Sequence, residues 1–245
     1  MSLNLSERDL RVLAKCAVSK WLTTSQLQRL YFPDVTPDAA RKSLRRLLQA
    51  EYLISLRENP MAEALYAVGS EAKALLATKG LEVELCRTPP GQVEHLIGIN
   101  DVRIAVEAEP SRVAYFFASW ELPQFRWEHA VIPDALFSLK GPERRLFVVE
   151  YDRGTETREQ LSRKFLAYAA GLSGFSLDAV ILVAYSPERL ETVRRYLCRR
   201  LMSVRLLGAT LSTIKTIGVH ALRFQDIGAA GERTTLLAEV NEPAS

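Results

Sequence analysis

Four cations crowd one short stretch of the chain: Arg41, Lys42, Arg45 and Arg46. At about 100° per residue, their spacing of i, i+1, i+4 and i+5 places them within an arc of roughly 140° on a helix. Ala40, Leu44, Leu47 and Leu48 fall on the complementary arc and would face a core. A helix with an apolar back and a cationic front can enter the major groove of double-stranded DNA while its back stays packed. The Arg forks suit guanine edges and phosphates bidentately, whereas Lys42 suits a phosphate as a point charge. Arg57, farther along the chain, is placed to reach the adjacent DNA backbone. The same stripe also fits an ordinary solvated helix face, so its neighbours must decide.

A second set of residues is acidic. Pro133-Asp134 lies in one apolar stretch and Glu150-Tyr151-Asp152 in the next. Side chains alternate along a strand, so Glu150 and Asp152 share a sheet face, and Asp134 can meet them from a neighbouring strand. Lys164 follows on the next helix, with the reach to bring an ammonium to the acids. Paired with Arg153 and Lys164, the acids also read as an internal ion network. His95, Asn100, Arg103 and Arg153 form a candidate polar cluster near them. For His95, a hydrogen-bonding role on its helix is the alternative to a ligand or general base.

The elements that must carry these residues can be read from caps and breakers. Ser6 opens a first helix through Leu10 and Leu13, and Thr23 or Thr24 opens a second that ends near Tyr31. Pro33 and Pro37 force a turn, and a third helix, the cationic one, runs over residues 37–50. Residues 52–56 and 64–68 read as a hairpin that turns at Asn59-Pro60 and carries Arg57. Residues 70–79 form a fourth helix, stopped by Gly80. Residues 81–91, with Thr88-Pro89-Pro90-Gly91, read as a linker.

Residues 92–228 read as a second domain. The pattern there predicts a helix over 92–108, strands over 113–121, 131–139 and 145–151, a helix over 156–170 and a buried strand over 178–185. A helix over 187–202 and a strand over 219–224 follow. That last helix is basic, with Arg189, Arg194, Arg195, Arg199 and Arg200, and reads as either a solvated face or a further phosphate-contacting surface. The aromatic run Tyr115-Phe116-Phe117 reads as sheet core. Residues 229–245 read as a surface tail, with a short strand over 234–240.

The order of helix, helix, turn, helix, hairpin, helix over residues 1–80 resembles a winged helix-turn-helix. The α-β-β-β-α-β order after residue 92 resembles the PD-(D/E)xK nuclease-like fold. The fold class expected is therefore α+β, a winged helix-turn-helix followed by an α/β nuclease-like domain. In working nucleases of that type an Asp and a Glu on adjacent strands hold Mg²⁺, which would assign Asp134 and Glu150 to the metal. The Lys position two residues past the Glu is here Asp152, so Lys164 would have to substitute. On this reading Asp134, Glu150, Asp152 and Lys164 are the candidate catalytic set.

Behind the winged helix, three further motifs stand in order. They are His95-Leu96-Ile97-Gly98-Ile99-Asn100-Asp101-Val102-Arg103, then Val148-Val149-Glu150-Tyr151-Asp152-Arg153-Gly154-Thr155, then Lys164-Phe165-Leu166-Ala167-Tyr168. Together with Pro133-Asp134-Ala135, they resemble the replication-relaxation family of plasmids and integrative elements. The resemblance implies a DNA-binding protein tied to replication, copy number or transcription of a mobile element, and it implies no defined reaction. A Mg²⁺-dependent nuclease or nickase, and a non-catalytic dimeric interaction platform, are the alternatives.

Composition bounds the rest. The chain has 245 residues, 48% apolar, with a net charge of +3. That total hides an asymmetry, with 12 Lys+Arg against 8 Asp+Glu in residues 1–80 and 20 against 21 in the remainder. Cys16, Cys86 and Cys198 are scattered, which argues against a disulfide framework or a zinc site and suits a reducing cytoplasm. The first residues lack a signal-peptide pattern, and no apolar run is long enough to span a bilayer. No Walker A, G-x-G-x-x-G or G-x-S-x-G string points to a nucleotide or another small-molecule cofactor.

Overall fold

Hydroxyl side chains start the first three helices. Ser6 caps α1 (Glu7–Ser19): its Oγ accepts from the Asp9 amide at 3.2 Å, and the Asp9 carboxylate accepts in return from the Ser6 amide at 2.8 Å. Thr23 ends the short strand β1 (Leu22–Thr23) and forms the same box with Gln26 at the head of α2 (Thr24–Tyr31). Thr36 caps α3 (Pro37–Gln49), where Pro37 fills the first turn at no loss of a bonded amide. Strands β2 (Leu53–Leu56) and β3 (Leu65–Val68) and helix α4 (Ser70–Ala77) follow.

The computed structural model describes residues 3–57, 59, 61–89, 91–125, 129, 131–141, 144–172, 176–197, 204–228 and 233–240. It is an α+β chain that divides into two units, Met1–Asn100 and Asp101–Ser245. In the first, β1, β3 and β2 form an antiparallel sheet in that order, with Leu22 opposite Tyr66 and Leu53 opposite Val68. Its core joins Val12, Leu13, Cys16, Leu27, Leu44, Leu47 and Leu76. Burial pushes the Cys16 thiol up to about 12, so it is an inert core group. Cys86 is half-buried, and Cys198 lies outside the described residues.

Helix α5 (Val93–Glu107) contains the division point. Its first half belongs to the first unit. There the Asn100 amide donates to the carbonyls of Ser19 at 3.0 Å and Trp21 at 2.8 Å, and Gln26 donates to the Ile97 carbonyl at 2.9 Å.

The second unit is built on a seven-stranded mixed sheet. Its strands are β4 (Val113–Ala118), β5 (Ala135–Leu139), β6 (Arg145–Asp152), β7 (Ala179–Ala184), β8 (Arg205–Thr210), β9 (Phe224–Asp226) and β10 (Thr234–Thr235), neighbours in chain order across the sheet. The β4-β5-β6 portion is antiparallel. Strands β6, β7 and β8 are parallel, joined through α6 (Arg158–Ala169) and α7 (Pro187–Leu197), as parallel strands require a crossover. Leu161 and Phe165 of α6 and Leu190 and Val193 of α7 pack with Val148, Val180, Leu182 and Leu206 of the sheet.

The strand read over 219–224 lies instead at Phe224–Asp226, and the one read over 234–240 is only Thr234–Thr235. Other differences from the sequence reading have a local reason. β4 stops at Ala118, because the Glu121 carboxylate accepts from the Ala118 amide at 2.8 Å and a 3₁₀ segment, Ser119–Phe125, takes over. β5 starts at Ala135, after Pro133 and after Asp134, whose carbonyl accepts from Ser119. β8 and α8 (Leu211–Ile217) were not resolved as separate elements, because Gly208 and Ala209 weaken the strand signal. A Cβ at Gly208 would lie 2.5 Å from Ile227 Cδ1 and 2.7 Å from Leu190 Cδ1, so both side chains would have to shift.

Candidate nucleic-acid interface and acidic site

Helix α3 presents two opposite faces, as its spacing requires. Ala40, Leu44 and Leu47 are fully buried, while Arg41, Lys42 and Arg45 are exposed. Among the described residues, the side chains of Lys42, Arg45 and Arg57 have no hydrogen-bond or ion-pair partner. Arg41 donates to Asp38 at 2.6 Å, one turn earlier on the same helix. Arg46 differs from the other three. Its guanidinium turns back to the carboxylate of Asp9, which is buried, and to the Asn4 carbonyl at 3.3 Å. Burial works against the Asp9 carboxylate, but the hydrogen bonds from Arg46 and Ser6 outweigh it and hold its pKa below the usual value. Arg57 is exposed just past β2, in the β2–β3 connection.

The acids of the second unit gather around the end of β6. Glu150 is 1% exposed. One of its carboxylate oxygens accepts from Lys164 Nζ at 2.8 Å, and the other from the Tyr168 hydroxyl. Lys164 also pairs with Glu156 at 2.7 Å. Burial and the nearby Asp134 push the Glu150 carboxyl up to about 8, against the pull of Lys164 and Tyr168. Burial opposes the Lys164 ammonium, but Glu150 and Glu156 together hold its proton more tightly than water would.

Asp152 lies on the same sheet face, two residues on, and is equally enclosed. Its Oδ2 accepts from Arg189 Nε at 2.6 Å, and its Oδ1 from the Gly154 amide at 2.7 Å. Gly154 sits at φ +81°, which lets the chain turn back over the carboxylate. Asp134 accepts from the Tyr151 amide at 2.8 Å, which clamps the start of β5 against β6.

The acids therefore lie close together, but both oxygens of Glu150 and of Asp152 already accept hydrogen bonds. Lys164 reaches Glu150 from α6, while Asp152 is claimed by α7. Among the described residues, no group of three or more His, Cys, Asp or Glu side chains could hold a metal ion. The donor set does not fit Mg²⁺: a divalent ion needs oxygen lone pairs in an open shell, and here an ammonium, a phenol and a guanidinium occupy them.

The candidate polar cluster places its members apart in role. Asn100 is spent on the backbone of Ser19 and Trp21. Arg103 is 2% exposed, pairs with Glu121 and lies over the Phe116 ring at 4.8 Å. His95 is half-buried on α5, and Arg153 half-buried beyond β6. In the run Tyr115-Phe116-Phe117, Phe116 is buried and stacks on Phe137, and Tyr115 stacks on Phe117. On α7, Arg194 and Arg195 both pair with Glu191, while Arg199 and Arg200 lie outside the described residues.

Two partners escaped the sequence reading although signals existed. Tyr168 stands four residues after Lys164, hence on the same helix face. Asp9 stands three residues after Ser6, in capping-box register. Arg189 had no such signal, since it meets Asp152 only because α7 packs beside α6.

Fold and sites together define an α+β chain with one cationic helix face and one acidic site neutralised by its own side chains. The chain belongs to the replication-relaxation family, whose sequence model matches residues 10–174. The match takes in α3, Asp134, Glu150, Lys164 and Tyr168. No curated protein and no solved structure matches the chain. Among the described residues, no helix is long and apolar enough to cross a membrane.

Proposed function

We propose that this chain binds double-stranded DNA through α3 and acts in the control of replication of a mobile element. The observation that carries this reading is the split of α3, with Lys42 and Arg45 exposed and unpartnered among the described residues, opposite a fully buried Ala40, Leu44 and Leu47. The order of α1, α2, α3, β2, β3 and α4 supports a winged helix-turn-helix, with the β2–β3 hairpin as the wing that carries Arg57. Family membership supports the link to replication.

The order α5, β4, β5, β6, α6 and β7 supports a nuclease-like domain. We read it as a scaffold, because Glu150 and Asp152 are neutralised by Lys164 and Arg189 where a nuclease would offer them to a metal. Two copies on paired half-sites would suit a winged-helix reader, and a solution mass that stays monomeric at all concentrations would remove that assembly.

The test is duplex binding across a salt series. The logarithm of affinity should fall linearly with log salt, and Arg41→Ala with Arg45→Ala should shallow the slope by about one per lost phosphate contact. Unchanged affinity in that double variant would remove α3 as the interface. Divalent-metal-dependent cutting of supercoiled or linear DNA that requires Glu150 would overturn the scaffold reading.

A further inference from the structure

One residue on the cationic face has the wrong sign. Asp38 is the second residue of α3, its side chain is 92% exposed, and it holds Arg41 at 2.6 Å. A carboxylate on a surface that meets phosphates is repelled by them. The groups on duplex DNA that it can accept from are the exocyclic amines of the major groove, cytosine N4 and adenine N6. Beside the adenine amine lies the acceptor N7, which faces a carboxylate unfavourably, so cytosine is the better partner. Arg41, one turn on, has a five-donor fork of which a single nitrogen serves Asp38, and this fork matches the O6 and N7 acceptors of guanine.

Position along the helix favours the same pair. A recognition helix offers its first residues to base edges, and Asp38 and Arg41 lie in the first turns of α3. At the other end Arg46 is turned away to Asp9 and Asn4.

We propose that Asp38 and Arg41 are a specificity pair, reading a cytosine amine beside a guanine edge, while Lys42 and Arg45 hold phosphates. This rests on α3 being the DNA interface. Asp38 selects by attraction to one base and by repulsion of a misplaced backbone.

The experiment is selection of bound duplexes from a randomised pool, using the full chain. The unsubstituted protein should enrich adjacent cytosine and guanine. Asp38→Ala should lose the cytosine preference by about tenfold, since a good base contact discriminates on that scale. Its affinity for random duplex should hold or rise, because a like charge has gone. Asp38→Asn should shift the preference toward adenine, the base that a carboxamide reads. Arg41→Lys should relax the guanine position. If Asp38 merely supports the helix terminus, Asp38→Ala will lower the melting temperature and enrich unchanged sites, which overturns the pair. A protein that binds no duplex at all overturns the α3 reading itself, a different result.

Discussion

Both units bury a carboxylate against a cation, and the pairs Asp9–Arg46 and Glu150–Lys164 behave in opposite ways. Asp9 meets Arg46, and Glu150 meets Lys164; both acids have side chains about 2% exposed. Asp9 also receives the Ser6 amide at 2.8 Å and the Ser6 hydroxyl at 2.7 Å, so its charge is well supplied and its pKa is lowered. Glu150 has a phenol and an ammonium, but it shares its surroundings with Asp134 and lies under α6, and its pKa is raised. Burial alone does not set the sign. The number of donors, and the presence of a second acid, decide whether the buried group prefers its charge.

The largest effect should come from taking the cation away from the poorer site. Lys164→Met leaves Glu150 buried without its counter-ion, and removing one partner of a buried pair costs about 3–5 kcal/mol. Denaturant unfolding of the full chain should show this loss above pH 9, where Glu150 is ionised in the intact chain. It should shrink at pH 5.5, where Glu150 holds its proton with or without Lys164. A loss of the same size at both pH values would mean that Glu150 keeps one protonation state across that range.

Asp9→Ala should come next, at about 1–3 kcal/mol, because it removes the Asp9 half of the α1 capping box and leaves Arg46 without its acid. Arg46→Ala should cost about 1 kcal/mol or less, since that guanidinium is 41% exposed and water replaces much of the contact.

The pH profiles should separate the two contacts. Glu150 has a raised pKa in the folded state, so its stabilisation is complete below its ordinary value and is lost as pH rises toward about 8. Asp9 has a lowered pKa, so its stabilisation is present above its ordinary value and is lost as pH falls into the acid range. Amide exchange resolved by segment, corrected for intrinsic rates, should show β6 and α6 weakening between pH 5 and pH 8. Residues of α1 should change only at lower pH, and Glu150→Gln should flatten the β6 response. The smallest expected effect is that of metal. Mg²⁺ or Mn²⁺ should leave the melting temperature unmoved, and a rise that Glu150→Gln abolishes would show that the ion displaces Lys164.

Much of the first unit was legible because its signals are local. Ser6, Thr23, Thr36 and Pro37 announce helix starts, and the α3 stripe announces which side packs. β1 was missed because two residues carry no periodicity, and Leu22 is a strand only through its pairing with Tyr66. In the second unit, the side-chain alternation that places Glu150 and Asp152 on one face could be read directly, as could the reach of Lys164. Their division between α6 and α7 could not, because Arg189 lies 37 residues from Asp152 and meets it only through helix packing. Arg46 shows the limit of a helical wheel: it shares the cationic arc with Arg45, yet its long side chain folds back to an acid on another helix.

The family match ends at residue 174, whereas β6 pairs with β7 over six rungs from Phe147–Ala179 to Asp152–Ala184. A chain cut at that point would keep every motif of the match and lose one of the two partners of β6. Strand β6 would become a bare edge, with a row of unpaired amides and carbonyls along a nearly continuous apolar ladder. Such edges recruit other chains. The segment after residue 174 therefore guards against self-association, and a shorter expression fragment should aggregate unless another strand closes that side.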